Sequence, residues 1–308
     1  MPSTLNDIRL KVRRVTKSPS ENQITTSQID EYINNFYLYD LPEHLRLFNL
    51  RENYTFTALP NIEKYNFDTT NYISVHPPAY VAGYQCYFTQ SQDEFYRLYP
   101  KVRNFEQIGV GDGATLNFTY TLSNVPVMSD AVLINTVDGA GNPLNVNDDG
   151  SGNLTGDGVG TINYVTGAIN VTFTAAPGTA EQITAQTVPY AAQRPAAILF
   201  FNDQFILRPI PDQSYTVQLV VYKRPTILLN AADNPQVHEW WQLIAMGASL
   251  RIFEDRGDIN SINQFRPIFD EYMRLCLRRT IVQQTNERTA TIYTDFATRP
   301  FGNYYAPF

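Results

Sequence analysis

Charge is scarce in this chain of 308 residues, with Asp, Glu, Lys and Arg together at 17%, and it holds only two cysteines and three histidines. Cys86 and Cys276 cannot build a disulfide framework. Together with the scattered His44, His76 and His238, which lack the i, i+4 pairing of a zinc helix, they make no recognisable metal site. No stretch nears the ~18 consecutive apolar residues of a membrane span. The opening MPSTLNDIRLKVRR has no apolar core of the kind a signal peptide needs, so the expectation is synthesis in the cytoplasm and no membrane partner. There is no G-x-S-x-G elbow and no catalytic cysteine setting, and nothing selects one pair of acids for glycoside cleavage. The chain therefore reads as a non-enzyme that needs no cofactor and no metal.

What remains is apolar and aromatic. Apolar residues make up 43%, with 20 tyrosines and 18 phenylalanines, which suits a globular chain long enough for two cores. So little charge fits a subunit buried in an assembly, or else a monomer with a polar, uncharged surface. One absence is local. Between Arg103 and Arg194 there is no Lys or Arg, yet eight acids: Glu106, Asp112, Asp130, Asp138, Asp148, Asp149, Asp157 and Glu181. The flanks hold all 23 bases and the other 22 acids, whereas the middle stretch holds 12 of the 16 glycines. Composition thus marks a separate module, residues 108–192, inside a domain assembled from 1–107 and 193–292.

The module reads as antiparallel strands. Residues 114–121 (ATLNFTYT) alternate Leu116, Phe118 and Tyr120 with polar neighbours, and 131–136 repeat the pattern less cleanly. Residues 161–165 and 168–173 flank Thr166-Gly167 as a hairpin, and a last strand covers 182–188. Five or more such strands make a small β-sandwich or barrel.

The flanks mix helix and sheet. Thr4 and Asp7 are spaced as a capping box before Leu5, Ile8, Val12 and Val15, and Ser27 with Asp30 opens a second helix burying Ile29, Ile33 and Phe36. Ser91 with Glu94 caps a short helix carrying Phe95 and Leu98 before Pro100. Residues 197–201 and 204–208 bracket Asn202-Asp203 as a hairpin, and 215–223 alternate as a strand. Asn234-Pro235 predicts the start of a helix carrying Trp240, Ile244, Gly247 and Phe253 and stopped by Gly257. Gly247-Ala248-Ser249 leaves a bare surface there for close approach of another element. A further helix from about Ile262 places Phe265, Ile268, Phe269, Tyr272 and Leu275 inward, with Arg274, Arg278 and Arg279 near its end. The fold class expected is α+β, a helical and β domain interrupted by an all-β, sandwich-like insertion.

Motifs that suggest chemistry dissolve on inspection. Gly109-Val110-Gly111-Asp112-Gly113 lacks the Lys-Ser/Thr of a phosphate loop and leads into a strand. Asn145, Asn147 and Asp149-Gly150 match early positions of a calcium loop, but Gly156 stands where a bidentate Glu is required. Structural turns account for them more simply. Arg256-Gly257-Asp258 is explained by a helix end followed by a new cap. Arg9, Arg13 and Lys17 share one side of the first helix and read either as a solvated face or as a surface for an acidic partner or DNA phosphates. The tail 293–308 (YTDFATRPFGNYYAPF) carries Phe296, Phe301, Tyr304, Tyr305 and Phe308 without helical period. Such aromatics anchor interfaces, so the tail is either an extended arm on a neighbouring subunit or folds on its own domain. With Trp240, Trp241, Arg274 and Arg278 these residues are the interface candidates.

Two stretches carry a resemblance. GDGATLNFTYTLSNVPV from Gly111 and DDGSGNLTGDGVGTINYVTGAINVTFTAAP from Asp148 resemble the small β-sandwich modules that recur in phage virion and tail proteins. The flanks, with TLNDIRLKVRRVTKSPSENQITTSQIDEYINNFYLYDLPEHLR and WWQLIAMGASLRIFEDRGD, resemble head-to-tail adaptor proteins, including tail tubular adaptors of short-tailed phages. This resemblance implies a dodecameric ring docked beneath the portal at the virion neck. It would touch tail-completion or nozzle proteins, with fibres or collar proteins reached through the acidic module, and would carry a channel through which DNA passes without sequence-specific binding. It supplies no catalytic residues. The rival reading is a baseplate or receptor-contacting virion protein whose β-module binds carbohydrate; against it, both tryptophans lie outside the module. A polysaccharide-cleaving enzyme is the other rival.

Overall fold

The computed structural model describes residues 4–45 and 48–285, and the chain is a mixed α/β fold with two large β-sheets. Contacts divide it into two compact units. A helical unit takes the described residues of Met1–Glu52, Thr70–Ser74 and Val221–Phe308, and a β unit takes Asn53–Thr69 and Val75–Val220. No helix among the described residues is long and apolar enough to cross a membrane.

The helical unit begins as its capping chemistry dictates. Thr4 and Asp7 close a reciprocal box on α1 (Leu5–Val15), which buries Leu5, Ile8 and Val12. The cap of α2 (Thr26–Asn35) is Thr25, not Ser27: its hydroxyl accepts from Gln28 N–H while the Gln28 amide oxygen accepts from Thr25 N–H, a neutral box two residues upstream of the expected one. Beyond α2 the chain winds into a π-helix, Phe36–Asp40, then α3 (Leu41–His44), with a short 3-10 turn at Phe48–Leu50.

At the centre lies α5 (Trp241–Arg256), and its residues 243–250 are all buried. A helix apolar on every side belongs inside a bundle. It contacts α1, α2 and α6 (Ile259–Thr285). Gly247 makes this possible: a Cβ there would lie 2.3–2.5 Å from atoms of the Phe36 ring, and that ring packs edge-on to Phe269 at 5.8 Å. Gly257, at φ +67°, ends α5; Gly257 N–H bonds back to Glu254 O and Asp258 N–H to Phe253 O. The start differs from expectation. Asn234-Pro235 caps nothing, and α5 follows a 3-10 turn at His238–Trp240 with no side-chain cap. Tertiary bonds hold the preceding segment instead, from Leu5 N–H to Asp233 O, Asn6 N–H to Ala231 O and Gln236 N–H to the Tyr37 hydroxyl.

The seven-stranded sheet has the order β1-β15-β3-β4-β13-β14-β2. Its strands are β1 (Arg51–Ala58), β2 (Lys64–Asn66), β3 (Tyr72–Val81), β4 (Tyr84–Thr89), β13 (Ala197–Phe201), β14 (Gln204–Arg208) and β15 (Tyr215–Lys223). Between β4 and the next strand comes α4 (Gln92–Leu98), capped by Ser91; Phe95 is buried, but Leu98 is exposed. The β13–β14 turn has Asn202 and Asp203 both at positive φ, as a two-residue hairpin requires. Rings join the two edge strands: Phe56 on β1 stacks on Phe205 at 5.3 Å and lies 5.1 Å from Tyr65 on β2. The sheet therefore curls over an aromatic interior.

The second sheet is antiparallel and eight-stranded, in the order β5-β12-β7-β8-β9-β10-β11-β6. Its strands are β5 (Asn104–Val110), β6 (Asn117–Thr121), β7 (Leu133–Val137), β8 (Pro143–Asp148), β9 (Asn153–Gly156), β10 (Gly158–Ile162), β11 (Ala168–Phe173) and β12 (Gln182–Thr187). All of them fall between Arg103 and Arg194. Their inward positions form a core of Ile134, Val146, Leu154, Val171, Phe173 and Ile183. Edge strands β5 and β6 meet, since Glu106 accepts from the Tyr120 hydroxyl at 2.9 Å and from Ser123 N–H at 3.1 Å. The sandwich-like module expected from sequence is instead barrel-like: one continuous sheet whose two edges meet, not two sheets packed face to face, because alternation along each strand fixes a buried face without fixing how the strands close. The hairpin expected at Thr166-Gly167 is wider, with Asn163 closing a loop over 163–167 through Val165 and Thr166 N–H.

Within the β unit the two sheets share a buried junction. Arg208 on β14 pairs with Glu63 at 2.8 Å, their side chains 7% and 9% exposed, and the Arg208 guanidinium also lies 3.4 Å from the Met128 sulfur. Met128, Val188 and Ile210 pack beside the pair.

Candidate interaction surfaces

The basic face foreseen on α1 is largely turned inward. Arg9 donates through Nε and Nη2 to the Asp30 carboxylate at 2.5 and 2.7 Å, clamping α1 to α2. Arg13 donates to the carbonyls of Ser18, Ser20 and Ile24, to the Thr26 hydroxyl and to Glu21 at 2.7 Å, so it staples the loop between the helices. Fork geometry of this sort positions a backbone and leaves little charge for a phosphate. Lys17 stays exposed, at positive φ beyond the helix end.

Trp240 and Trp241 are half-buried and pack on the helical core. Arg279 lies over the Trp240 ring at 6.0 Å and forms an ion pair with Glu239. Arg274 and Arg278 are exposed. The inward seam of α6 is Ile262, Phe265, Phe269, Tyr272, Met273 and Cys276, a spacing of three and four. Two residues expected inward are not: Ile268 is 42% and Leu275 48% exposed. They stand seven apart, two turns along one face, with exposed Gln264, Glu271 and Arg278 on the same stripe. The other side of α6 is thus an open, mixed apolar and polar surface.

The β-module presents the opposite chemistry. Outward positions of its strands pair across the sheet as Asn117–Thr172–Val159, Thr119–Asn170–Thr161–Asn153 and Gln107–Thr184–Asn135–Asn145. Not one of them is charged. An open groove of about 680 Å³ crosses β6, β11 and β10 over Thr119, Thr121, Thr161, Asn163 and Asn170.

The module's acids sit at its turns and strand ends, most of them tying the backbone. Asp112 accepts from the Thr115 N–H and hydroxyl and the Ala114 N–H, which hold its carboxyl at about 2. Asn142 lowers Asp138 and Asn153 lowers Asp149 in the same way, each with backbone N–H groups assisting. Asp148 accepts from Asp130 N–H, Gly150 N–H and the Tyr164 hydroxyl. Burial, then the Asp148 carboxylate, pushes the Tyr164 phenol well above its ordinary range. A carboxylate that caps its own turn needs no lysine or arginine, which accounts for an acidic stretch without a base.

Of the calcium-loop match, Asp149 caps its own turn through Ser151 and Asn153 N–H, while Asn145 and Asn147 lie on β8. Among the described residues no group of three His, Cys, Asp or Glu is placed to hold a metal ion. Phe296, Phe301, Tyr304, Tyr305 and Phe308 lie outside the described residues. Residues that sequence reasoning missed are Glu63, Arg208 and the π-helix Phe36–Asp40. Glu63 and Arg208 are 145 apart in sequence and had no local signal, whereas β1 (RENYTFTA) shows a readable period of two. No protein-family model matches the chain, and no curated protein is significantly similar to it.

Proposed function

We propose that this protein is a structural component of a tailed-phage virion, a head-to-tail adaptor whose copies form a dodecameric ring beneath the portal. The ring joins capsid to tail and continues the DNA channel. The observation that supports this best is α6, a 27-residue helix with one seam buried and Ile268 and Leu275 left open on the other side. Apolar residues aligned two turns apart on a second face suit a neighbour's surface. A head-to-tail contact of this kind closes into a ring when its rotation permits. In this reading the flanks, 1–107 with 193–292, are the adaptor domain and the β-module, 108–192, is an insertion that reaches fibres, collar or tail-completion proteins. With no base on its outward strand positions, the module stays off DNA. The test is the native mass and negative-stain image of the purified full-length chain. A ring with a channel wide enough for a DNA duplex is expected; a strict monomer at every concentration, absent from particle necks, would defeat the proposal.

A second reading, a receptor-contacting virion protein whose β-module binds carbohydrate, is favoured by the charge-free groove. Its hydroxyl and amide side chains offer donors and acceptors suited to neutral sugars. Retention of the full chain on neutral bacterial polysaccharides, weakened by Asn170→Ala, would favour it over the ring.

A further inference from the structure

The segment that leads into the β-module, residues 97–105 (RLYPKVRNF), is basic and apolar together. Arg97, Lys101 and Arg103 are exposed, and none of them forms an ion pair among the described residues. Beside them Leu98, Val102 and Phe105 are more than half exposed. No acid lies within 97–105, and the next one, Glu106, is turned to the Tyr120 hydroxyl and Ser123 N–H. Large apolar side chains left open among unpaired cations mark an interaction surface.

The end of the module away from this segment is its counterpart. The turns that follow β5, β7, β9 and β11 lie there, and they carry Asp112, Asp138, Asp157 and Glu181. Backbone bonds tie three of these turns into one surface: Gly111 N–H to Glu181 O at 2.8 Å, Ala180 N–H to Gly111 O at 2.9 Å and Gly178 N–H to Val137 O at 2.8 Å. Gly111 permits the approach, since a Cβ there would lie 2.3 Å from Gly178 O. The fourth turn is joined to the end of β11 by Thr174 N–H donating to Asp157 O. Val110, Leu116 and Val159 are exposed beside these acids, and the module has no Lys or Arg to offset them. A tip fixed in this way loses little freedom on binding.

Each surface supplies what the other lacks: apolar side chains on both, ringed by charges of opposite sign. Within one copy they do not meet, because β5, from Asn104 to Val110, sets them about 20 Å apart at ~3.3 Å per residue. We propose that residues 97–105 of one copy receive the acidic tip of a second copy's β-module, with Leu98, Val102 and Phe105 against Val110, Leu116 and Val159 and the three cations facing the four carboxylates. Two different patches in contact make a head-to-tail interface, and opposite charge steers them together. A DNA backbone would satisfy the cations alone and leave three apolar side chains in water. The contact is separate from the open face of α6 and does not rest on the ring.

The experiment uses the full chain with a benzoylphenylalanine photo-cross-linker in place of Phe105, mixes isotopically labelled with unlabelled chains, and locates the links by mass spectrometry. Links from one chain to 110–116, 138–142, 157–159 or 177–181 of another are expected. Lys101→Glu with Arg103→Glu should lower their yield about three- to tenfold, the weight of two exposed ion pairs reversed, and Val159→Lys with Glu181→Lys should do the same. All four side chains are exposed, and an unchanged melt by circular dichroism confirms folding. A 1:1 mixture of the two double variants should restore the yield, because the acidic run of one then meets the basic tip of the other. Links within one chain only, links elsewhere, or yields that the reversals do not lower and the mixture does not restore, would overturn the contact. A ring without these links refutes this contact alone, and these links in a chain that forms no ring refute only the ring.

Discussion

Replacing Gly247 by alanine adds one methyl group at the tightest point of the helical unit. On an isolated helix the change is favourable by about 1 kcal/mol, because alanine loses less backbone entropy than glycine. Here the added carbon would sit 2.3–2.5 Å from three atoms of the Phe36 ring. Carbon atoms in ordinary contact stand about 3.5–4.0 Å apart, so ring or helix must move by more than about 1 Å. Phe36 has little room, being 4% exposed and held edge-on by Phe269. Overpacking a full core costs about 1–3 kcal/mol, and a clash this deep belongs at the upper end. Setting that against the helix gain leaves a net loss of about 2 kcal/mol, or a fall in Tm of about 4–8 °C for a unit of this size. Tryptophan fluorescence in urea isolates the effect, since Trp240 and Trp241 both belong to the helical unit. In a Phe36→Leu background the same substitution should cost less than about 0.5 kcal/mol, because the obstructing ring is gone. Stabilisation by Gly247→Ala in the parent chain, or an equal loss in both backgrounds, would refute the packing argument.

Four further outcomes are expected. Glu63→Gln leaves Arg208 charged and buried and should destabilise the β unit by about 3 kcal/mol in urea followed by circular dichroism, with Glu63→Leu/Arg208→Met recovering most of it. Asp112, held at about 2 against about 4 in an unfolded chain, contributes stability that is present above pH ~4 and lost as pH falls through its folded value. The urea midpoint of the β unit should accordingly drop between pH 4 and pH 2, less steeply in Asp112→Asn; an identical slope would remove Asp112 from the account. Burial pushes the Cys86 thiol up to about 11 and the Cys276 thiol up to about 12, so neither should react with a disulfide reagent at pH 8 until urea unfolds its unit. Ile268→Asp with Leu275→Asp should lower the native mass by sedimentation while leaving the fluorescence melt unchanged, since both side chains are already exposed.

Much of the local structure was legible. The Thr4–Asp7 box, the Ser91 cap, the Asn202-Asp203 hairpin and the Gly257 stop each involve residues within about five positions of one another. The shortfalls share a cause. Thr25 outcompetes Ser27 because Gln28 reciprocates, a neutral alternative to the acid expected at Asp30. Asp30 itself is engaged by Arg9 from another helix. Asn234-Pro235 has the composition of a helix start, but tertiary bonds from α1 and Tyr37 hold that segment open. Ile268 and Leu275 matched a helical period as well as their neighbours, and the surface α6 packs against decides which stripe is covered.

The candidate surfaces divide along the same line. That the middle stretch is a charge-poor β-module followed from sequence alone, because alternation, glycine-rich turns and turn-capping acids act over a few residues. So did the bare surface at Gly247. Which side chains remain available to a partner was decided only by the tertiary structure. Arg9 and Arg13 read as a basic face until Asp30, Glu21 and three carbonyls take up their donors. The Phe36 ring is buried because a π-turn, a glycine and a later helix converge on it. Availability is a property of long-range packing, and residues far apart in sequence give no local sign that they will meet.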